Sequence, residues 1–196
     1  METIRLIIVA VGGQGNLLAS KVLGEAALIS GVPVRMSEIH GMAQRGGVVE
    51  SAIVFGAAES SIISDGEADI LLGFEPAETL RAIKRANKNT NVITNTATLP
   101  PFTASIGQGV YPEIDTIKKL IQEKCAGLVA FDAMKIAREA GSPMSVNIVL
   151  LGALLQSGRL GFTKESMIEA IKRRTKKHTI DMNLKAFEMG FEAAGK

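Results

Sequence analysis

An apolar run, "IRLIIVAV" (4–11), flows directly into "GGQGN" (12–16) and then into "LLASKVLGEAAL" (17–28). This junction narrows the possible folds more than any other feature of the chain. A run that is apolar at odd and even positions alike cannot be a half-solvated strand. It predicts a strand covered on both faces, as in sheets with helices packed on either side. The glycines predict a tight turn, and Asn16 to Ser30 then read as a helix with Leu17, Leu18, Val22, Leu23, Ala26 and Ala27 turned inward. Gly31 and Pro33 end that helix, as a C-terminal glycine and a following proline commonly do.

The same logic continues along the chain. Strands are expected at 34–38, 48–55, 69–74, 91–95 and 128–132. Helices are expected over "EPAETLRAIKRAN" (75–87) and at about 113–124, 133–140, 145–157, 163–175 and 180–193. The chain thus reads as one α/β domain spanning 1–196, a three-layer, Rossmann-like and mainly parallel sheet with helices on both faces and a helical C-terminal third. No helix separates the strands at 34–38 and 48–55, so the sheet is expected to be mixed there or to carry an irregular crossover. Residues 97–112, with three prolines and two glycines, read as a long surface loop.

Composition removes several classes of function. A net charge of +2 is too small to argue for nucleic acid or an anionic membrane. The apolar run at 148–155 is far short of the roughly 20 residues that span a bilayer, and the N-terminal run lacks the layout of a signal peptide. One cysteine, Cys125, cannot build a disulfide framework or a four-thiolate iron–sulfur site, and it fits a reducing cytoplasm. His40 and His178 lie far apart and no Cys-x-x-Cys pair exists, so no metal site is expected.

Three stretches carry ligand-like chemistry. In "VGGQGN", Gly12, Gly13, Gln14, Gly15 and Asn16 could bring backbone N–H groups to a phosphate at a helix N-terminus, contact a partner, or simply make the tight turn. Gly13 and Gly15 match two positions of a dinucleotide fingerprint, with Leu18 at the third and Glu38 as the acid that would hold a ribose. In "SEIHGMAQRGG" (37–47), Arg45 offers a planar fork for carboxylate or phosphate beside His40, Gln44, Gly46 and Gly47. Glu75 in "GFEPAET" and Asn95 in "TNT" lie just past strand ends, where open α/β sheets place their contacts, although Glu75 also suits a helix start. "IKRRTKKH" (171–178) reads as a solvated helix face or a contact for an acidic partner. No nucleophile elbow, catalytic dyad or P-loop is present, which suggests a subunit rather than a self-contained catalyst.

Five segments together carry a resemblance: "VGGQGNLLASKVLGEAAL", "VRMSEIHGMAQRGGVVES", "EADILLGFEPAETLRAI", "VNIVLLGAL" and "NLKAFEMGFE". In order and at natural spacing they resemble the gamma-type domain of the 2-oxoacid:ferredoxin oxidoreductases, and within it the small subunits of the indolepyruvate branch. The resemblance implies a large alpha subunit that holds thiamine diphosphate and 4Fe–4S clusters, in a complex expected to be a heterotetramer. It implies oxidative decarboxylation of aryl pyruvates with coenzyme A as substrate, giving aryl acetyl-CoA, carbon dioxide and reduced ferredoxin. This chain alone would bind no cofactor and would be inactive. The pyruvate branch varies the loop around Arg45, which points to an interface and anion-positioning role for it rather than proton transfer. Two other readings remain: a free-standing dinucleotide-binding protein using Gly12 to Gly15 and Glu38, or an assembly module without ligand contact.

Overall fold

A computed structural model describes residues 2–40, 47–99 and 111–195. The strands are β1 (Ile4–Val11), β2 (Val34–His40), β3 (Val48–Phe55), β4 (Ala68–Gly73), β5 (Ala86–Asn95) and β6 (Gly127–Phe131). The helices are α1 (Asn16–Ile29), α2 (Pro76–Arg81), α3 (Ile114–Gln122), α4 (Ala133–Ala140), α5 (Val146–Gln156), α6 (Lys164–Arg174) and α7 (Ile180–Ala194). The strands form one sheet in the order β2-β3-β1-β4-β5-β6. β3 runs antiparallel to both its neighbours, and β1, β4, β5 and β6 are parallel. The missing helix between β2 and β3 therefore produces a mixed sheet, since two strands joined without a crossover must run in opposite directions.

The two-faced character of β1 is realised residue by residue. Leu6, Ile8 and Ala10 enter a large core with α1, α4, α5, α6 and α7. Ile7 and Val9 point the other way, into a smaller core with Ile117 and Ile121 of α3. Helices cover both faces, but the C-terminal ones crowd onto one side. α5 is buried on every side from Val146 to Leu155, because it lies inside the larger layer rather than on it. None of the described helices is long and apolar enough to cross a membrane.

α5 and α7 meet backbone to backbone. A Cβ at Gly152 would lie 2.1 Å from the Phe187 carbonyl oxygen, and one at Gly190 would lie 2.0 Å from that of Val149. Elsewhere an ion pair does the joining: Glu25 of α1 accepts from Arg173 Nη1 at 3.1 Å and Arg174 Nε at 2.9 Å, both of α6. Part of the basic stretch 171–178 is thus consumed within the chain, while Lys172, Lys176, Lys177 and His178 stay exposed.

Two expectations need correction. Leu17 is 48% exposed, because the inward stripe of α1 runs through Ala19, Val22, Leu23, Ala26 and Ala27 and leaves position 17 on the flank. The helix expected to reach residue 87 ends at Arg81, passes through a 3-10 turn at 82–85, and gives way to β5 at Ala86. Ala86 pairs with Ala68, and the chain then bulges before Asn91 pairs with Ile70. Side chains close the bulge: Thr90 Oγ1 accepts from Asn87 N at 2.7 Å and donates to the Ala68 carbonyl at 2.6 Å. Local hydrogen bonding by Asn and Thr competes here with continued helix.

Gly152→Ala and Gly190→Ala are each expected to cost about 1–3 kcal/mol in denaturant unfolding, because the added methyl meets a rigid backbone. Gly24→Ala should be close to neutral, since its Cβ would meet only the flexible end of Met36, at 3.0 Å. Equal effects at all three sites would contradict this packing. The Arg174 and Arg173 guanidiniums hold the Glu25 carboxyl below its usual range. A carboxylate with a lowered folded pKa adds stability above its unfolded value, about 4.3, and loses it as pH falls through the folded value. Urea unfolding should therefore weaken more between about pH 5 and 3 in the native chain than in Glu25→Gln.

Candidate functional site

The parallel strands deliver their C-terminal ends to one rim, where open α/β sheets commonly bind ligands beside the point at which the strand order reverses. Here that point lies between β1 and β4: α1 leaves β1 for the large core, and the chain after β4 turns to the opposite face. The rim brings together Gly12 to Asn16, Glu75 and Asn95, which are dispersed in the sequence.

The glycine turn is built by backbone conformation. Gly13 and Gly15 have φ of 101° and 84°, in the left-handed region that disfavours side chains. At Gly15 there is a second restriction, because a Cβ would come within 2.5 Å of the Asn147 amide nitrogen. Gly12 N donates to the Gly47 carbonyl at 2.8 Å, tying the turn to the start of β3.

The polar side chains of the turn face inward. Gln14 Oε1 accepts from Val11 N at 2.8 Å, and its Nε2 donates to the Phe74 carbonyl at 3.3 Å. Asn16 is 5% exposed; its Nδ2 donates to the Val49 carbonyl and its Oδ1 accepts from Ser51 Oγ. Asn95, fully buried, donates from Nδ2 to the Phe74 carbonyl at 3.1 Å and accepts at Oδ1 from Ala97 N and Ala133 N. One amide thereby connects the ends of β4, β5 and β6.

Glu75 is also buried and caps α2, its Oε2 accepting from Glu78 N at 3.0 Å. Its Oε1 accepts from Leu99 N and from the Tyr111 hydroxyl. Burial, and then the bond to Glu75, push the Tyr111 phenol well above its ordinary range, so it stays protonated and donates. Burial likewise raises Glu78, opposed by Arg81 and assisted by the Glu75 charge. Tyr111 had no signal in the sequence, because its role depends on a carboxylate 36 positions away.

The dinucleotide geometry is not reproduced. β3 intervenes between β1 and β2, and Glu38 stands opposite Ser51, which in turn pairs with Ile8. Glu38 is thus two strands across and three residues short of Val11, not beside the glycine turn where a ribose acid belongs. His40 closes β2, paired with Val49; Gln44, Arg45 and Gly46 lie outside the described residues. Among the described residues no three His, Cys, Asp or Glu cluster as metal ligands.

Beside the glycine turn the rim opens into a cleft of about 330 Å³. Gly13 and Gln14 form one edge and Ala97 to Leu99 another, while Met134, Arg138 and Met144 close the side formed by α4 and the turn after it. Asp132 lies at the same mouth and caps α4 by accepting from Lys135 N at 2.8 Å.

Comparison with known proteins agrees with this architecture. Residues 5–193 match the family described as pyruvate ferredoxin/flavodoxin oxidoreductase. An indolepyruvate oxidoreductase subunit IorB from Thermococcus kodakarensis is 42% identical over 99% of this chain and 97% of its own. Another, from Methanothermobacter thermautotrophicus, is 41% identical over 96% of each. The fold matches the crystal structure of a keto/oxoacid ferredoxin oxidoreductase gamma subunit from Geobacter sulfurreducens, with a TM-score of 0.71, 24% identity, and 97% and 98% of the two chains covered. With a family match running almost end to end and relatives of nearly the same length, this chain is a member of the pyruvate ferredoxin/flavodoxin oxidoreductase family.

Proposed function

We propose that this chain is the small subunit of a thiamine-dependent 2-oxoacid:ferredoxin oxidoreductase that acts on indolepyruvate and other aryl pyruvates. The reaction is oxidative decarboxylation with coenzyme A to aryl acetyl-CoA, carbon dioxide and reduced ferredoxin. The observation that carries the reading is the likeness, along nearly the whole chain, to relatives named as indolepyruvate oxidoreductase subunits. Thiamine diphosphate supplies the carbanion chemistry when bound, and it belongs with the 4Fe–4S clusters in a large partner subunit. One cysteine in the whole chain suits that division, since cluster ligation usually takes four thiolates.

The part left to this chain is positioning. Gln14, Glu75 and Asn95 act by holding the rim in shape, because their polar atoms are already engaged with neighbouring backbone and Tyr111. The loop with His40, Gln44, Arg45, Gly46 and Gly47 meets the partner, where the Arg45 fork pairs with an anion: a substrate carboxylate, a diphosphate or a coenzyme A phosphate. The backbone of the Gly12 to Asn16 turn borders the same region through the bond to Gly47. The complex works in the cytoplasm as a heterotetramer.

The purified chain is expected to reduce neither ferredoxin nor a viologen dye with any 2-oxo acid. Adding the large subunit should restore turnover, with aryl pyruvates preferred over pyruvate. Activity in the single chain, or a preference for pyruvate, would refute the assignment.

Arg45 and Asn95 should then fail in different ways. Arg45→Ala should leave the free subunit as stable as before, yet cost about 2–5 kcal/mol in the complex, read as more than tenfold weaker assembly or turnover. Arg45→Lys should rescue it only in part, since a point charge cannot replace a bidentate fork. Asn95→Ala should instead destabilise the free subunit by about 1–3 kcal/mol or more, because it strands buried backbone groups. A stable Asn95→Ala subunit, or an Arg45→Ala complex with native affinity and turnover, would overturn these roles.

A further inference from the structure

We propose that the cleft between the glycine turn and α4 is a binding site for a small aromatic monocarboxylate, its ring against Met134 and Met144 and its carboxylate on Arg138. No residue of this cleft other than Gly13 and Gln14 belongs to the positions singled out from the sequence. The aromatic part of the assignment rests on the aryl-pyruvate reading above; the cleft and its cation do not.

Four features of the cleft specify the ligand. Its volume, about 330 Å³, lies at the lower end of the range for small-ligand pockets. Its walls are mainly apolar: Met134, Met144, Val146, Pro143, Leu99 and Ala97. Met144 is 72% exposed and Leu99 is 47% exposed, so the ligand-facing apolar surface is still open to solvent. Two thioethers along one wall, on α4 and on the turn after it, suit a flat ring, because methionine sulfur packs favourably against aromatic edges and adjusts its shape to them.

The charges specify the rest. Arg138 lies one turn after Met134 on α4, so both side chains reach the same face of the helix and the same cleft. Its planar fork accepts a carboxylate by two parallel hydrogen bonds. The Asp132 carboxylate at the mouth opposes phosphates and other multiply charged anions, leaving a singly charged acid as the better fit. The backbone around the cleft is fixed rather than improvised. Asn95 holds Ala97 and Ala133, and Gln14 is tied to β1 and to Phe74, so two of its edges are preformed. Gly13 completes the opening, because no atom of the described residues lies within 4 Å of the position a Cβ would take there.

The test uses the full chain, alone and in complex with its large subunit, labelled with ¹³C at the methionine methyls. Eight methionines give few enough signals to assign by substitution. Indole-3-acetate is the probe, because it is an aryl monocarboxylate that cannot be decarboxylated oxidatively as a 2-oxo acid. At the efficiency usual for ligands of its size, its Kd is expected at about 1 mM. The Met134 and Met144 methyls should shift together and saturate. Arg138→Gln should weaken indole-3-acetate at least fivefold while leaving uncharged indole unaffected, a selectivity that a merely structural arginine would not produce. Met144→Glu should abolish both.

Absence of saturable shifts at Met134 and Met144 in both preparations overturns the site, as does equal weakening of indole and indole-3-acetate by Arg138→Gln. If Met144→Glu instead lowers affinity for the large subunit and no aryl acid binds, the cleft is a protein contact and the proposal fails. Turnover separates this from the function proposed above. A complex that oxidises aryl pyruvates without binding at the cleft keeps that function and removes the site. Binding at the cleft in a complex that ignores aryl pyruvates keeps the site and removes that function.

Discussion

The carbonyl oxygen of Phe74 accepts from Gln14 and from Asn95, and Phe74 N donates to Val9 in β1. Around this single residue the ends of β1, β4 and β5 are held at one level, and Asn95 extends the connection to α4 through Ala133 N. Parallel strands need such a device. Each ends in a connection that must leave the sheet, and the freed backbone groups require partners once the rim is buried. Here side-chain amides provide them, since an amide carries donor and acceptor on one rigid plane and can serve two segments at once. The cleft, the glycine turn and the start of α2 all take their positions from this set of bonds.

Its consequence for function is a division between scaffold and surface. Polar residues at strand ends look like binding residues in a sequence, but Gln14, Asn16, Glu75 and Asn95 direct their polar atoms to the protein itself. What the rim presents outward is different: glycine backbone, methionine thioethers, an exposed leucine, an arginine and the Asp132 carboxylate. Such a surface suits the positioning role proposed for this chain. Glu75 illustrates the point, because its hydrogen bonds to Leu99, Glu78 and Tyr111 fix three segments around a buried carboxylate.

Much of the architecture was legible before any coordinates. β1, β3, α4 and the three C-terminal helices fall within one or two residues of the ranges read from periodicity and punctuation. The absence of a helix between β2 and β3 correctly implied a mixed sheet. The reading failed where local chemistry had two solutions. "AIKRAN" has helical composition, yet Asn87 and Thr90 satisfy backbone groups of a bulge and let β5 begin early. Leu17 looked inward because it is apolar, but its angular position on α1 places it at the flank.

For the site, the sequence determined which residue types gather at strand ends, because glycine, asparagine and glutamate are punctuation with known stereochemistry. It also determined the family, since the order and spacing of its segments are recorded in one dimension. The tertiary structure alone decided which polar groups are spent internally. It also set β3 between Glu38 and the glycine turn, and brought Met134, Arg138 and Met144 to a cleft beside Gly13. These outcomes depend on strand order and on contacts between distant segments, as with Tyr111 on Glu75 or Asn147 against Gly15. Periodicity reports which face of an element is buried; it carries no term for what lies across the interface, and that is where the polar atoms find their partners.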